Sequence, residues 1–267
     1  MANVSPSERT LDIIELLADH PEGLAISDIA RRLKLPKSIA HRLLSILVDR
    51  GFAIQDVLTQ HYRLAIRTAA LGLRFFGHVG LNEVCQPILN RLAQRTGEFV
   101  RVCAAENGEL VWIASAQGSS EGLRYDPTME AGPALHATAN GRAWLSTLDE
   151  ADALAQVRRR GFILPRNYAR SFVASEQELS DELKRVRECG YAISADESVI
   201  GIAALAAPIP DREDGPALGC VSVAGPSVRM PSSRLQEIAP DLLAAARELS
   251  EIWPIPRLNK LAMVSSA

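Results

Sequence analysis

Residues 25–64 contain the pattern that most restricts what this chain can fold into. Two short helical patterns are joined by a tight turn, Gly51 ends the second of them, and two short runs that alternate as strands do follow it. Pro36 suits the first position of the second helix, because proline lacks the N–H that is unpaired there in any case. This order of elements predicts a winged helix-turn-helix, with the polar residues 55–61 as the wing.

The second helical pattern, residues 36–50, has an apolar side and a polar, basic side. A helix that enters the major groove of DNA needs such a polar side, while its other side packs on a core. The apolar residues, which recur with the 3.6-residue period of a helix, are Ala40, Leu43, Leu44 and Leu47.

Positive charge is concentrated in the same part of the chain. Residues 31–50 hold six lysine or arginine residues and one acid, whereas the whole chain has a net charge of −3. Such a stripe of charged side chains either keeps one helical face in contact with water or neutralises DNA phosphates locally. Because the turn and the wing accompany the stripe here, duplex DNA is the predicted partner. The predicted DNA-binding residues are Arg31, Lys37, Ser38, His41, Arg42, Ser45, Thr59 and Arg63.

Length and composition exclude several classes of protein. A chain of 267 residues, 47% of them apolar, typically folds as two domains. The sequence has no run approaching the ~18 apolar residues of a membrane span. Its first residues lack the basic-then-apolar pattern of a signal peptide, so a cytoplasmic protein without membrane contact is expected. The four cysteines lack metal-ligand spacing, so no metal or disulfide framework is predicted.

Several helix starts can be located from capping signals. Residues 5–8, 147–150 and 175–178 each have the pattern of a capping box, in which an N-cap hydroxyl and a later carboxylate satisfy free amides. The expected N-cap of the first helix of the helix-turn-helix is instead Ala25, whose side chain cannot accept a hydrogen bond. Asp28, in the first turn, is the remaining group that can stabilise those amides.

The sequence pattern changes after the wing. The second part mixes helical patterns with apolar runs, and Asn107-Gly108 between two such runs predicts a hairpin. The predicted fold class is therefore α+β, with a mainly antiparallel sheet flanked by helices in the second domain. The predicted divisions are a winged helix-turn-helix domain at 1–65, a linker helix at 66–80, a second domain at 81–256 and a tail at 257–267.

Three blocks of the sequence are more specific than a winged helix. They are PKSIAHRLL in the second helix, LHATANGRAWL at residues 135–145, and SEQELSDELKRVRECGYAISADESVIGIAALAAPI followed by ALGCVSVAGP. With these blocks, residues 7–250 resemble the IclR family of transcriptional regulators. The resemblance implies a GAF-like second domain that binds a small organic effector, and assembly into homodimers or tetramers. It does not imply a cofactor.

The resemblance also implies where the effector lies, namely in the loop matching residues 129–138 and on the strands matching 194–202 and 220–224. The predicted effector-binding residues are Met129, Ala131, Leu135, His136, Ala137, Ser194, Asp196, Ile202, Ala204, Cys220 and Ser222.

At some of these positions the chain departs from the family pattern. Ser222 keeps a common hydroxyl, but Ala204 and Ala224 stand where some members have polar or sulfur side chains, and Ser194 stands where some have an acid. These departures predict a less polar pocket. An aromatic or hydrophobic carboxylic acid is therefore expected rather than a sugar or a short polar acid such as glyoxylate.

Two other functions compete with that of a ligand-controlled regulator, and the first is an enzyme. His136, Cys220 and the acids Asp196 and Glu197 are residue types that can form a nucleophile and base, but no nucleophile elbow, HExxH or phosphate-binding glycine loop occurs. Asp196 and Glu197 are adjacent on a predicted strand, and adjacent strand residues face opposite sides, so these two acids cannot form a paired acid and base. His136 itself either binds the effector or ties its loop to a carbonyl. No enzymatic activity is expected.

The other alternative is a ligand-independent DNA-binding dimer. The small residues 203–207 and the loop 126–136 argue against it, because they leave room for a ligand beside the sheet. The expected function is therefore the binding of a pseudo-palindromic operator, as a repressor or an activator, under the control of a small organic acid.

Overall fold

The computed structural model describes residues 5–120, 122–127, 134–162 and 173–253. The chain forms two compact units, Met1–His78 and Val79–Ala267. Within the described residues, no helix is both long enough and apolar enough to span a lipid bilayer.

The N-terminal unit is a winged helix-turn-helix, as predicted. Its elements are α1 (Pro6–Ala18), α2 (Ile26–Arg32), α3 (Lys37–Asp49), β1 (Ala53–Gln55) and β2 (Tyr62–Leu64), followed by α4 (Ile66–Val79). The two strands of the wing are antiparallel, with Ile54 opposite Arg63. Ile13, Ile29 and Leu44 are fully buried between the three helices and the wing. The 3.6-residue period of α3 therefore identified its buried face correctly.

The helix starts in this unit follow the local chemistry. Ser5 and Glu8 form the predicted capping box of α1. Ala25 makes no side-chain cap for α2, and the carboxylate of Asp28 accepts a hydrogen bond from Arg31 at 2.5 Å. Pro36 was expected as the first helical residue of α3, but its backbone is extended (ψ 137°), so it is the N-cap. The Pro36 carbonyl instead accepts the first amides of the helix.

The C-terminal unit is built on one antiparallel sheet of five strands, in the order β4-β3-β7-β6-β5. The elements are α5 (Leu81–Thr96), β3 (Phe99–Glu106), β4 (Glu109–Gln117), α6 (Ala139–Leu145), α7 (Glu150–Arg160), α8 (Glu176–Cys189), β5 (Ala192–Ala195), β6 (Ile202–Ile209), β7 (Gly219–Pro226) and α9 (Ser232–Glu251). The predicted α+β class is confirmed.

Helices cover both faces of this sheet. α6 packs on β5, β6 and β7 and is backed by α8, while α5 and α9 pack on the other face. Ala203, Ala206 and Ala207 of β6 are almost completely buried as a result. The expectation that residues 203–207 leave open room was therefore wrong for most of the strand, because their small side chains let helices approach closely on both sides. Ala204 alone of these residues is partly exposed.

In this unit the predicted hairpin turn is present, whereas one of the predicted capping boxes is absent. Asn107 and Gly108 both have positive φ, 52° and 79°, as a two-residue hairpin turn requires. The predicted capping box at 147–150 is absent: α7 begins after Asp149, and no side chain caps it. The hydroxyl of Thr147 instead donates to the carbonyl of Trp144 and accepts the amide of Ala217, because tertiary packing provides these partners.

Candidate functional site

The exposed side of α3 carries the side chains predicted to contact DNA. Lys37, Ser38, His41 and Arg42 are exposed and Ser45 is half-buried, whereas the opposite side of the helix is in the core. The helix is 13 residues long, and no acidic residue lies in its first turn. This end of α3 therefore presents hydroxyl, imidazole and basic groups together, as recognition of bases and phosphates requires.

A groove of about 600 Å³ separates the start of α3 from the wing. Lys37, Ser38 and His41 line its helix side. The residues on its other sides were not among the predicted DNA-binding residues, because they carry no charge; they are Ile26, Gln55, Gln60 and Tyr62. The side-chain amide of Gln55 donates to the side-chain oxygen of Gln60 at 3.0 Å, which joins the end of β1 to the turn before β2.

The wing is held by an acid at its turn. One carboxylate oxygen of Asp56 accepts the amides of Leu58 and Thr59 and the hydroxyl of Thr59. These bonds, first of all that from the Thr59 amide, hold the pKa of Asp56 below its usual range. Thr59, predicted to bind DNA, therefore uses its hydroxyl within the wing. Arg63 is exposed on β2.

The predicted effector-binding residues fall into groups. Leu135 and Ala137 are buried and precede α6, and Cys220 is fully buried on β7. Ser194, Ala204 and Ser222 lie on the sheet, whereas Met129 and Ala131 lie outside the described residues.

Strand pairing brings the sheet residues together. Ser194 is opposite Ala204, Ala204 is opposite Ala224, and Ala224 is opposite Phe99. Two residues before Ala224 on β7, Ser222 is opposite Ala206 of β6 on one side and Arg101 of β3 on the other. Residues two apart on a strand share a face, so these side chains lie on one side of the sheet. We call this side the α6 face, because Asn140 of α6 contacts the thiols of Cys103 and Cys220 there.

His136 lies just before α6 and is 4% exposed. Its ring packs edge-on against Phe162, with the ring centroids 5.2 Å apart. Burial first, and then the nearby Arg142 guanidinium, lowers the pKa of His136 below its usual range, while Glu197 opposes the shift. The imidazole is therefore neutral at neutral pH. Within the described residues its Nε2 has no hydrogen-bond partner, so no carbonyl anchors the loop through that atom.

The prediction that Asp196 and Glu197 are neighbours on a strand is wrong. β5 ends at Ala195, and Asp196 has a positive φ of 55°. The carboxylate of Asp196 accepts the amide of Gly201 at 2.6 Å and the hydroxyl of Ser227 at 3.2 Å, so it stabilises the turn after β5.

Glu197 forms a buried ion pair that sequence reasoning missed. It and Arg142 of α6 are each 2% exposed, with two N–O distances of 2.7 and 3.3 Å between the guanidinium and the carboxylate. Arg142 also donates to the carbonyl of Ile193 at 2.7 Å. The pair therefore fastens α6 to the end of β5. A lone Arg in LHATANGRAWL gives no signal of its partner, because Glu197 lies 55 residues away.

Cys220 lies in a setting that disfavours the reactive thiolate form. Its thiol is buried and donates to the carbonyl of Asn140 at 3.3 Å, and burial raises its pKa well above the usual range. In the described part of the chain, no group of three or more His, Cys, Asp or Glu side chains has the arrangement of a metal site.

Family models match both units. A model described as the IclR helix-turn-helix domain matches residues 7–57, and one described as the bacterial transcriptional regulator IclR C-terminal domain matches residues 74–251.

Characterised relatives and solved structures agree with these matches. The HTH-type transcriptional regulator BhcR of Paracoccus denitrificans is 32% identical over 91% of this chain and 85% of its own length. The transcriptional repressor IclR of Escherichia coli is 26% identical over 91% of this chain and 87% of its own length.

Two solved structures show the same fold. A transcriptional regulator of this type from Alicyclobacillus acidocaldarius has a TM-score of 0.79 at 23% identity and covers 92% of this chain and 97% of its own. An IclR homologue from Microbacterium hydrocarbonoxydans, complexed with 4-hydroxybenzoate, has a TM-score of 0.67 at 22% identity and covers 91% of this chain and 99% of its own.

Proposed function

The chain belongs to the IclR family of bacterial transcriptional regulators, and we propose that it binds a pseudo-palindromic operator through α3 and the wing under the control of a small organic acid. The observation that carries the proposal is the exposed face of α3, where Lys37, Ser38, His41 and Arg42 stand beside the groove to the wing. The 4-hydroxybenzoate bound to a homologue supports an organic acid as the effector.

The effector acts through a difference in affinity. A ligand shifts the operator-binding equilibrium only if it binds one arrangement of the protein more tightly than another, with a typical coupling of ~1–3 kcal/mol. We place this ligand on the α6 face, where Ser194 and Ser222 offer hydroxyls and Ala204 and Ala224 occupy little volume. The protein has no catalytic role in this proposal and acts in the cytoplasm, where its DNA partner is found.

A tryptophan at position 204 tests this placement. Ala204→Trp is expected to abolish the effector response while operator binding survives, because the indole fills the space beside Ser194 and Ala224. A thermal-shift screen of small organic acids on the wild type identifies the ligand, since binding to the folded state raises the melting temperature. Gel-shift titrations with and without that acid then measure the response.

Val228→Trp is the matched control, because Val228 is 80% exposed. A normal response in the Ala204→Trp variant would place the effector elsewhere, and a screen in which no acid alters operator binding would contradict ligand control. Loss of operator binding and effector response together would indicate misfolding, which circular dichroism detects.

We also propose that the protein is a homo-oligomer that pairs two DNA-binding units. Apolar side chains on α4 are exposed in the single chain, with Ile66 at 86%, Leu73 at 66% and Phe75 at 59%, and Leu11 of α1 is 59% exposed. Exposed apolar residues at this density mark an interaction surface. A pair of half-sites in an operator requires two copies of α3.

Leu73→Glu is expected to move the protein toward the monomer and to weaken operator binding, because a buried unpaired carboxylate opposes association. Sedimentation velocity at micromolar concentration measures the assembly. Val111→Glu, at a 47% exposed position of β4, is the control for the added charge. If the Leu73→Glu variant forms the same oligomer as the wild type, α4 is not part of the interface between subunits.

A further inference from the structure

The turn of the wing carries two consecutive apolar residues that project into solvent. Val57 and Leu58 are 83% and 93% exposed, and Leu58 is the most exposed large apolar side chain in the described part of the chain. Single apolar residues are ordinary on a protein surface, whereas an adjacent pair at the end of a projecting turn forms a small apolar surface. We call residues 57 and 58 the wing tip.

Hydrogen bonds hold the wing tip in one conformation. One carboxylate oxygen of Asp56 accepts the amides of Leu58 and Thr59, and the Asp56 carbonyl accepts the amide of Gln60 at 2.9 Å. The side-chain amide of Gln60 donates to the carbonyl of Val57, also at 2.9 Å. These bonds use only the backbone of the wing tip, so its two side chains take no part in them. A turn that is already fixed loses little conformational entropy when a partner binds its tip.

The position and charge of the wing favour duplex DNA as the partner of this tip. The wing lines the groove beside the start of α3, so a duplex bound by α3 lies next to the wing. Residues 50–67 contain three arginines and one acid, and the carboxylate of that acid, Asp56, is bonded within the wing. The arginines, which suit DNA phosphates, are Arg50, Arg63 and Arg67.

The chemistry of the tip determines what it can do on DNA. Aliphatic side chains have no hydrogen-bond donors or acceptors, so they cannot recognise the polar edges of bases in the minor groove. Side chains such as leucine are instead inserted between base pairs from the minor groove, where they partly unstack the bases and bend the duplex. A helix in the major groove leaves the adjacent minor groove within reach of the wing, because the two grooves alternate along the duplex.

We propose that the wing tip is a wedge that bends the operator. Leu58, supported by Val57, enters the minor groove beside the half-site held by α3 and separates two base pairs. The step that it enters is a TA or CA/TG step, since these steps unstack at the lowest cost. This inference goes beyond operator binding through α3, and it rests on the proposed function because the duplex must first be bound.

The bend is measured on the full-length protein with a duplex that the protein selects. The wild type enriches binding sequences from a pool of random duplexes, and the enriched duplex then carries a fluorophore at each end for energy transfer at saturating protein. We expect the wild type to bend it by roughly 20–90°. Leu58→Ser is expected to reduce the bend to about half or less, because serine is short and polar, whereas Leu58→Met should keep most of it. Val57→Ser should lose part of it.

Permanganate probing locates the wedge, because permanganate oxidises unstacked thymines. A thymine at the entered step is expected to become more reactive in the wild-type complex, and this reactivity should be lost with Leu58→Ser. Leu123→Ser is the matched control, since Leu123 is 64% exposed and lies in the C-terminal unit; it should keep the wild-type bend and reactivity. Melting temperatures without DNA show whether the variants are folded.

Three results would overturn the inference. They are a wild-type complex in which the enriched duplex stays straight, a wild-type bend with Leu58→Ser, and a lower sedimentation coefficient of the Leu58→Ser protein without DNA, which would make the wing tip a contact between subunits. Each of these leaves the proposed function intact, because the duplex is still selected by its sequence. If no sequence is enriched from the pool, the proposed function is wrong together with the inference.

Discussion

Arg42→Ala and Lys37→Ala are each expected to weaken operator binding by about ten-fold or more, corresponding to ~1–3 kcal/mol for a lost base or phosphate contact. Both side chains are exposed on α3, and neither takes part in an ion pair in the described part of the chain. Their removal therefore affects DNA contacts and not the fold. Fluorescence anisotropy with a labelled operator, measured over a range of salt concentrations, gives the affinity and its salt dependence.

The salt dependence separates the two kinds of contact. Loss of a phosphate contact reduces the slope of log K against log salt concentration by roughly one unit and weakens all sequences alike, whereas loss of a base contact reduces the preference for the operator. Arg159→Ala, on α7 of the C-terminal unit, removes the same charge as the control. If both α3 variants bind the operator with wild-type affinity at physiological salt, α3 is not the helix that contacts DNA.

Glu197→Ala is expected to destabilise the C-terminal unit by about 3–5 kcal/mol, because it leaves the buried Arg142 guanidinium with only the more distant carboxylate of Glu182, 3.9 Å from its Nε. At ~2–4 °C per kcal/mol for a unit of this size, the melting temperature falls by roughly 6–20 °C. Differential scanning calorimetry measures the change. Replacing both residues, Arg142→Met with Glu197→Leu, should recover much of the loss, since no charge then remains buried.

An exposed ion pair provides the comparison. Arg158 and Glu176 are 2.6 Å apart, but their side chains are 59% and 44% exposed. Solvent screens such a pair, so Glu176→Ala should leave the melting temperature almost unchanged. Equal effects of Glu197→Ala and Glu176→Ala would mean that the buried pair does not hold α6 to the end of β5.

Local patterns predicted much of the fold because they depend on neighbouring residues. The period of α3 identified its buried side, and Ser5 with Glu8 identified the start of α1. The same kind of signal failed at Thr147, whose hydroxyl bonds to Trp144 and to Ala217, 70 residues away. A partner at that distance along the chain is outside the reach of a capping pattern.

The two candidate sites differ in how much of each could be predicted, again because of the distance along the chain between their residues. The DNA-binding face lies on a single helix, so its residues could be predicted from their spacing. The lining of the groove by the wing residues Gln55 and Gln60 could not be predicted in this way. The effector-binding residues came from the family resemblance, and no local pattern indicated that Arg142 and Glu197 form a buried ion pair between α6 and the end of β5.

The winged helix-turn-helix, the basic face of α3 and the family could all be predicted from the sequence, because each depends on the order and spacing of nearby residues. The distant residues that share the α6 face and the charges that are buried together became evident in the folded protein alone. Ser194, Ala204 and Ser222 share the α6 face through the register of β5, β6 and β7, and Arg142 contacts Glu197 through the packing of α6. Long-range strand pairing and helix packing create these contacts, and no local pattern encodes them.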